Sequence, residues 1–224
     1  PEILRLVGKW LKAGVLENGV LVKTIEGSPQ GGPISPILAN IYLHYALDLW
    51  FEKRARRIIG GRMELIRFAD DFVVLFQWPG QAKRFERLVR ARLSKFGLEL
   101  AEEKTRTVPF GRFASRYGGG DHGSFEFLGF KHIGGTDLKG RYAVVRVPST
   151  KSCRKFLDKV RVWLRRNMHV RRPLQGEYLA RALRGFYQYF ALHKCTKKLS
   201  LVRLYVTRVW RKTLRHQSQR SKCT

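Results

Sequence analysis

The sequence predicts an α+β protein in which short antiparallel strands with packed helices are followed by an all-helical module. Three observations carry that expectation. Short β-rich apolar runs, each bounded by turn residues, recur through the first two-thirds of the chain. Beyond residue 149 the apolar positions switch to helical spacing. The charge shifts at the same place: residues 149–224 hold 21 Lys and Arg against two acids, Asp158 and Glu177, for a net +19, whereas residues 1–148 carry +9. Pro148-Ser149 is therefore the expected boundary between a domain at 1–148 and a basic domain at 149–224.

Residues 2–13 place Ile3, Leu6, Val7, Trp10 and Leu11 on one helical face, and Ala13-Gly14 ends that helix. Asn18-Gly19 is a hairpin-type turn before an apolar run at 20–25. The Gly/Pro-rich segment 27–36 reads as an ordered loop that leads into a helix over 36–59, apolar at first and basic at its end. Strands at 64–68 and 72–76 flank a turn of Ala69-Asp70-Asp71. A helix near 81–96 buries Phe85, Leu88, Val89 and Leu93, and strands are expected at 98–101 and 105–109. Residues 118–121 form a loop, and 125–133 pairs with 141–147 in a hairpin closed by Gly134-Gly135 and Lys139-Gly140. Three helices follow, near 150–168, 174–191 and 197–215, with Ser149 capping the first. Their apolar stripes are Phe156, Val160, Trp163 and Leu164; then Leu179, Leu183, Phe186 and Tyr187; then Leu204, Tyr205 and Val209. Aromatics at this spacing are read as core.

With 224 residues, 44% hydrophobic and 12% aromatic, the chain has the composition of a folded protein. A formal charge of +28 calls for a polyanionic partner, since such self-repulsion disfavours a compact chain without counter-charge. Cys153, Cys195 and Cys223 lack metal-ligand spacing and fit a reducing, cytoplasmic setting, and six scattered histidines give no zinc site. The sequence has no 18-residue apolar run and no signal-peptide pattern, so neither membrane spanning nor export is expected. Pro1 in place of a start methionine leads us to expect that the natural N-terminus lies upstream.

Two neighbouring carboxylates, Asp70 and Asp71, sit at the junction of two apolar runs. Taken alone they allow two readings. One is a polar hairpin turn. The other is a site for a hard divalent cation, magnesium or alternatively manganese, which would offset the repulsion between the two acids.

Four blocks in order favour the second. They are Gly27-Ser28-Pro29-Gln30-Gly31-Gly32-Pro33-Ile34-Ser35-Pro36, Arg67-Phe68-Ala69-Asp70-Asp71, Leu98-Glu99-Leu100 through Lys104-Thr105, and Phe127-Leu128-Gly129-Phe130. Together they resemble the reverse transcriptase/maturase proteins of bacterial group II introns. A fifth block, Leu183-Arg184-Gly185-Phe186-Tyr187-Gln188-Tyr189-Phe190, resembles that family's thumb, with Phe186 where Trp is usual. Ser28 stands where Thr is usual and keeps the hydroxyl.

The resemblance implies the C-terminal half of a right-hand polymerase palm at 1–148 and a three-helix thumb, also called domain X, at 149–224. It implies RNA-directed DNA synthesis by two-metal nucleotidyl transfer, with an intron RNA template, a DNA primer or target and deoxynucleoside triphosphates as partners. Asp70 and Asp71 become metal ligands, and Lys104 a group that steadies the triphosphate or protonates pyrophosphate. Gln30, Gly31, Asn40 and Phe68 would face nucleotide or template, although Asn40 could equally contact backbone. Phe127, Leu128, Gly129 and Phe130 become the primer grip. Arg161, Arg165, Arg166, Arg171, Arg172, Lys197, Lys198, Arg208, Arg211 and Lys212 would bind RNA phosphates, giving affinity without sequence information.

One part of the pattern is missing. The third metal-binding acid should precede residue 63, where the only acids are Glu2, Glu17, Glu26, Asp48 and Glu52, none in the expected strand context. The chain alone is therefore expected to make no DNA without a complementing N-terminal segment. Two alternatives follow: a maturase that binds intron RNA and assists splicing without synthesis, or an inactive remnant.

Overall fold

The computed structural model describes residues 2–12, 15–17, 20–22, 34–118, 122–137 and 139–216. The chain divides into two compact units, Pro1–Thr107 and Val108–Thr224. Both mix helices with antiparallel sheet.

In the first unit α1 (Glu2–Lys12) precedes a short antiparallel ladder, β1 (Val15–Glu17) with β2 (Val20–Val22). The Asn18-Gly19 turn and most of the 27–36 block lie outside the described residues. Helix α2 (Ser35–Leu43) carries Pro36 in its first turn, where its fixed φ fits. It runs on through two wider π turns, His44–Asp48 and Phe51–Ala55, into α3 (Arg56–Ile59). Gly60 and Gly61, both at φ 72°, end the run. The two π turns supply the buried side chains Ala46, Leu47, Phe51 and Ala55.

That buried stripe packs on a hairpin of β3 (Met63–Phe68) and β4 (Asp71–Phe76). α4 (Pro79–Ser94) completes the layer with Phe85, Val89 and Leu93; Leu88, expected in the core, is only half-buried. The Phe85 ring ties the three pieces together, 6.0 Å from Trp50, 5.9 Å from Phe51 and 5.4 Å from Phe76 between centroids. Aromatic pairs at such spacing add to the stabilisation from burial itself.

Beyond α4 the structure departs from the sequence expectation. Residues 98–101 and 105–109 are not strands. Leu98 and Leu100 do alternate inward onto the core. Among the described residues no strand pairs with them, and the Ala101 carbonyl instead closes a turn by accepting from the Lys104 and Thr105 amides at 3.0 and 2.9 Å. Alternation records which side is buried; a ladder also needs a neighbour.

The second unit opens on a three-stranded sheet, β5 (Ser124–Phe127), β6 (Phe130–Thr136) and β7 (Tyr142–Pro148). A single hairpin closed by Gly134-Gly135 is thus corrected to two hairpins, with those glycines inside β6. Gly134 belongs there because a Cβ would lie 2.5 Å from the His122 Cβ. Three helices follow, α5 (Thr150–Arg166), α6 (Arg172–Phe190) and α7 (Thr196–His216). Ser149 caps α5 by accepting from the Ser152 amide at 3.1 Å.

Val160, Leu164, Leu179 and Val206 form one buried cluster, and Phe186, Phe190 and Val202 another, with Phe130 of the sheet against the latter. The stripe of α7 is set by Val202 and Val206; Leu204 and Tyr205 are exposed, one helical step off the expected face. Gln175 is fully buried and fully used. Its amide nitrogen donates to the carbonyls of Asn167, Met168 and Val170, and its oxygen accepts from the Trp210 indole at 2.9 Å. A buried amide satisfied at both ends fixes the α5–α6 connection against α7.

Candidate functional site: the Asp70-Asp71 hairpin and the basic helices

The strands β3 and β4 pair in register from Met63↔Phe76 to Phe68↔Asp71. That register leaves a two-residue turn, Ala69-Asp70, so Asp71 is the first residue of β4 rather than part of the turn. Ala69 has φ 52°, a left-handed conformation normally given to glycine at the first position of such hairpin turns. Phe68 and Asp71 face each other in register and so project from the same side of the hairpin. Asp70, Asp71 and Phe68 are all exposed, Phe68 at 64%. Among the described residues neither carboxylate forms an ion pair or a side-chain hydrogen bond.

Arg67 lies on the opposite side, the one that carries Met63 and Leu65, with its side chain only 13% exposed. A cation at a core-facing strand position needs partners, and it has them. Its Nε and Nη2 donate to the two carboxylate oxygens of Asp48 at 2.8 and 2.7 Å. Its Nη1 donates to Asn40 Oδ1 and to the Ala69 carbonyl, both at 2.7 Å. The hydrogen bond from Arg67, its charge and the nearby His44 hold the Asp48 carboxyl below its ordinary range, against the opposing cost of burial. The hydrogen bond to Asp48 likewise raises Arg67.

The structure thus brings Asn40 to the hairpin through Arg67. The Asn40 amide nitrogen donates to the Pro36 carbonyl at 2.9 Å, so both ends of this side chain are engaged within the chain. Lys104 is exposed in the 101–105 turn, and among the described residues its side chain has no partner there. Its neighbour Glu102 pairs with Arg90 at 2.6 Å. Gln30 and Gly31 lie outside the described residues. Sequence reasoning missed Arg67 and Asp48 as a pair. The signal was the parity of Met63-Glu64-Leu65-Ile66-Arg67, which places the guanidinium on the apolar side.

Asp70 and Asp71 are oxygen donors suited to a hard cation. Among the described residues no group of three His, Cys, Asp or Glu side chains comes together. Two carboxylates are too few to hold a pair of metal ions by themselves.

In the second unit Phe127 and Phe130 face each other across a two-residue turn, Leu128-Gly129, at φ 49° and 75°. Two successive positive φ values identify the mirror-image turn that suits the twist of a hairpin. The turn is held by its own unit: the Ser149 amide and the Ser152 hydroxyl donate to the Gly129 carbonyl at 2.8 and 3.0 Å, and the Tyr189 hydroxyl to that of Leu128 at 3.1 Å. Arg161, Arg165, Arg166, Arg171, Arg172, Lys197, Arg208, Arg211 and Lys212 are exposed. Of these Arg161 pairs with Asp158, while Lys198 is half-buried and donates to the Pro148 carbonyl. No described helix is long and apolar enough to cross a membrane.

Comparisons with known proteins assign the chain carrying these features to a family. The family model for reverse transcriptase (RNA-dependent DNA polymerase) matches residues 2–132. The chain belongs to the reverse transcriptase family. Over 43 residues, 19% of the chain, it is 62% identical to the group II intron-encoded protein LtrA of Lactococcus lactis subsp. cremoris, of which that stretch is 7%. Similarity to protein YkfC of Escherichia coli is longer, 28% identity over 66% of this chain and 42% of that protein. An uncharacterized 91 kDa protein in the cob intron of Schizosaccharomyces pombe is 47% identical over 51 residues, 23% of this chain and 6% of that protein. The chain thus spans less than half the length of each of these relatives.

Proposed function

We propose that this chain supplies the later palm strands and the thumb of a group II intron reverse transcriptase, with residues 1–148 as partial palm and 149–224 as thumb. The observation that carries the reading is the exposed Asp70-Asp71 pair, unpartnered among the described residues and placed at the tip of the β3–β4 hairpin. Asp70 and Asp71 would hold magnesium or manganese, which when bound stabilises the attacking and leaving oxygens of phosphoryl transfer. Phe68, beside Asp71, lies against the primer terminus. The Phe127–Phe130 turn grips the primer backbone, and Lys104 meets the triphosphate. Gln30 and Gly31 face template and nucleotide. The third carboxylate comes from chain outside these 224 residues, so the chain alone is inactive in synthesis and acts with a complementing N-terminal segment.

A second reading is favoured by the exposed arginines of α5–α7, which sit in the +19 region. They would bind structured intron RNA whether or not DNA is made, as a maturase requires. Asp70→Ala separates the readings when the intact assembly is assayed for both splicing and cDNA synthesis. Loss of synthesis with splicing retained is expected. Unchanged synthesis would refute the polymerase assignment of Asp70.

A further inference from the structure

The Arg67 guanidinium spends its donors on two tasks. Two nitrogens clamp Asp48 of the first π turn, and the third is shared between Asn40 and the Ala69 carbonyl. Because Asn40 in turn donates to Pro36, an unbroken hydrogen-bonded chain runs from the first turn of α2 to the turn that carries Asp70. Ala69 is where a fixed point matters most. At φ 52° it occupies a conformation that an alanine adopts at a cost, and nothing in a methyl side chain holds it there. Its carbonyl accepts from Arg67 at 2.7 Å. The same guanidinium is anchored to helix by a two-point carboxylate contact, so its own position is set.

We infer that Arg67 is a positioning residue, which through the Ala69 carbonyl holds the Ala69-Asp70 turn in one conformation and registers it, through Asn40, to α2. The consequence for metal binding rests on the polymerase reading; the hold on the turn does not. A lysine could keep the charge opposite Asp48, but a single ammonium cannot reproduce the planar fork that spans Asp48, Asn40 and Ala69.

The test uses the full chain as wild type, Arg67→Lys, and Arg67→Met combined with Asp48→Asn, the last removing both charges so that no buried ion is stranded. Melting reports folding. Backbone ¹⁵N relaxation at Ala69, Asp70 and Asp71 reports order in the turn, and paramagnetic broadening of the same amides by Mn²⁺ reports cation binding. We expect both variants to melt cooperatively while the three amides lose order. Apparent Mn²⁺ affinity should fall roughly tenfold or more, the usual cost of losing an outer contact to a metal ligand. Wild-type order at these amides in either folded variant overturns the inference, because Arg67 would then serve only as an ion pair. An ordered, Arg67-dependent turn showing no Mn²⁺ broadening that Asp70→Ala removes would sustain the positioning role and sink the metal reading instead.

Discussion

Arg67 and Asp48 show how one charged pair can organise a surface whose visible chemistry is elsewhere. Neither side chain is fully buried, at 13% and 26% exposure, so the pair lies between a surface bridge and a core one. Removing Arg67 alone leaves Asp48 with only His44, at 3.4 Å, and the Asn40 oxygen without its donor; Arg67→Ala should cost about 2 kcal/mol, between the exposed and buried limits. Combining it with Asp48→Ala should recover part of that loss, and chemical denaturation of the single and double variants measures both. The pH dependence has a definite sign. The folded-state value of Asp48 lies below the ordinary 3.8, so its contribution is present above that value and is lost as the pH falls through the lowered one. Asp48→Asn should therefore flatten the acid limb of a melting-temperature profile below about pH 4. The Asp70-Asp71 pair itself was legible, because two adjacent acids between apolar runs stand out in any reading. Its anchor was not, because Asp48 precedes Arg67 by 19 positions and only the folded helix brings them together.

Among the elements, helices and hairpin strands were read to within a few residues because each carries its own period and its own punctuation. The errors share a cause. At 98–109 the sequence alternates but among the described residues no strand lies alongside, and at 130–136 two glycines that look like a turn lie inside β6, where Gly134 serves a close approach to His122. Both are facts about neighbours, and a single sequence contains none. Two substitutions test the packing account. Phe85→Ala removes the ring shared by the π-turn run, α4 and β4 and should destabilise the first unit by about 3–5 kcal/mol. Gly134→Ala drives a methyl into His122 and should cost roughly 1–3 kcal/mol in the second unit. His132 adds a pH effect there. Burial, then the Arg146 charge, lower its proton affinity below the ordinary 6.5, so the unfolded chain takes up the proton first. Stability of that unit should fall as the pH drops below about 6.5, and His132→Phe should remove this component.

For the whole molecule the dominant quantity is a net charge of +28, two-thirds of it in the last third of the chain. If about six phosphates are neutralised on a single strand, the logarithm of RNA affinity should fall against the logarithm of salt with a slope near −4. A slope near zero would contradict an interface built on the exposed arginines. The fold class and the basic helical module were readable from composition and periodicity. For the catalytic centre the sequence offers two adjacent acids, and the expectation of a third from another segment is the part of the proposal still to be tested. The central claim is that Asp70 belongs to a polymerase centre completed by another segment. Primer extension on an RNA template with a DNA primer, magnesium and all four nucleotides tests it directly. The chain is assayed alone, with a supplied fingers-and-early-palm segment, and with that segment as Asp70→Ala. The account predicts extension only in the complemented mixture and none with Asp70→Ala. Extension by the chain alone, or by the complemented Asp70→Ala protein, would contradict it.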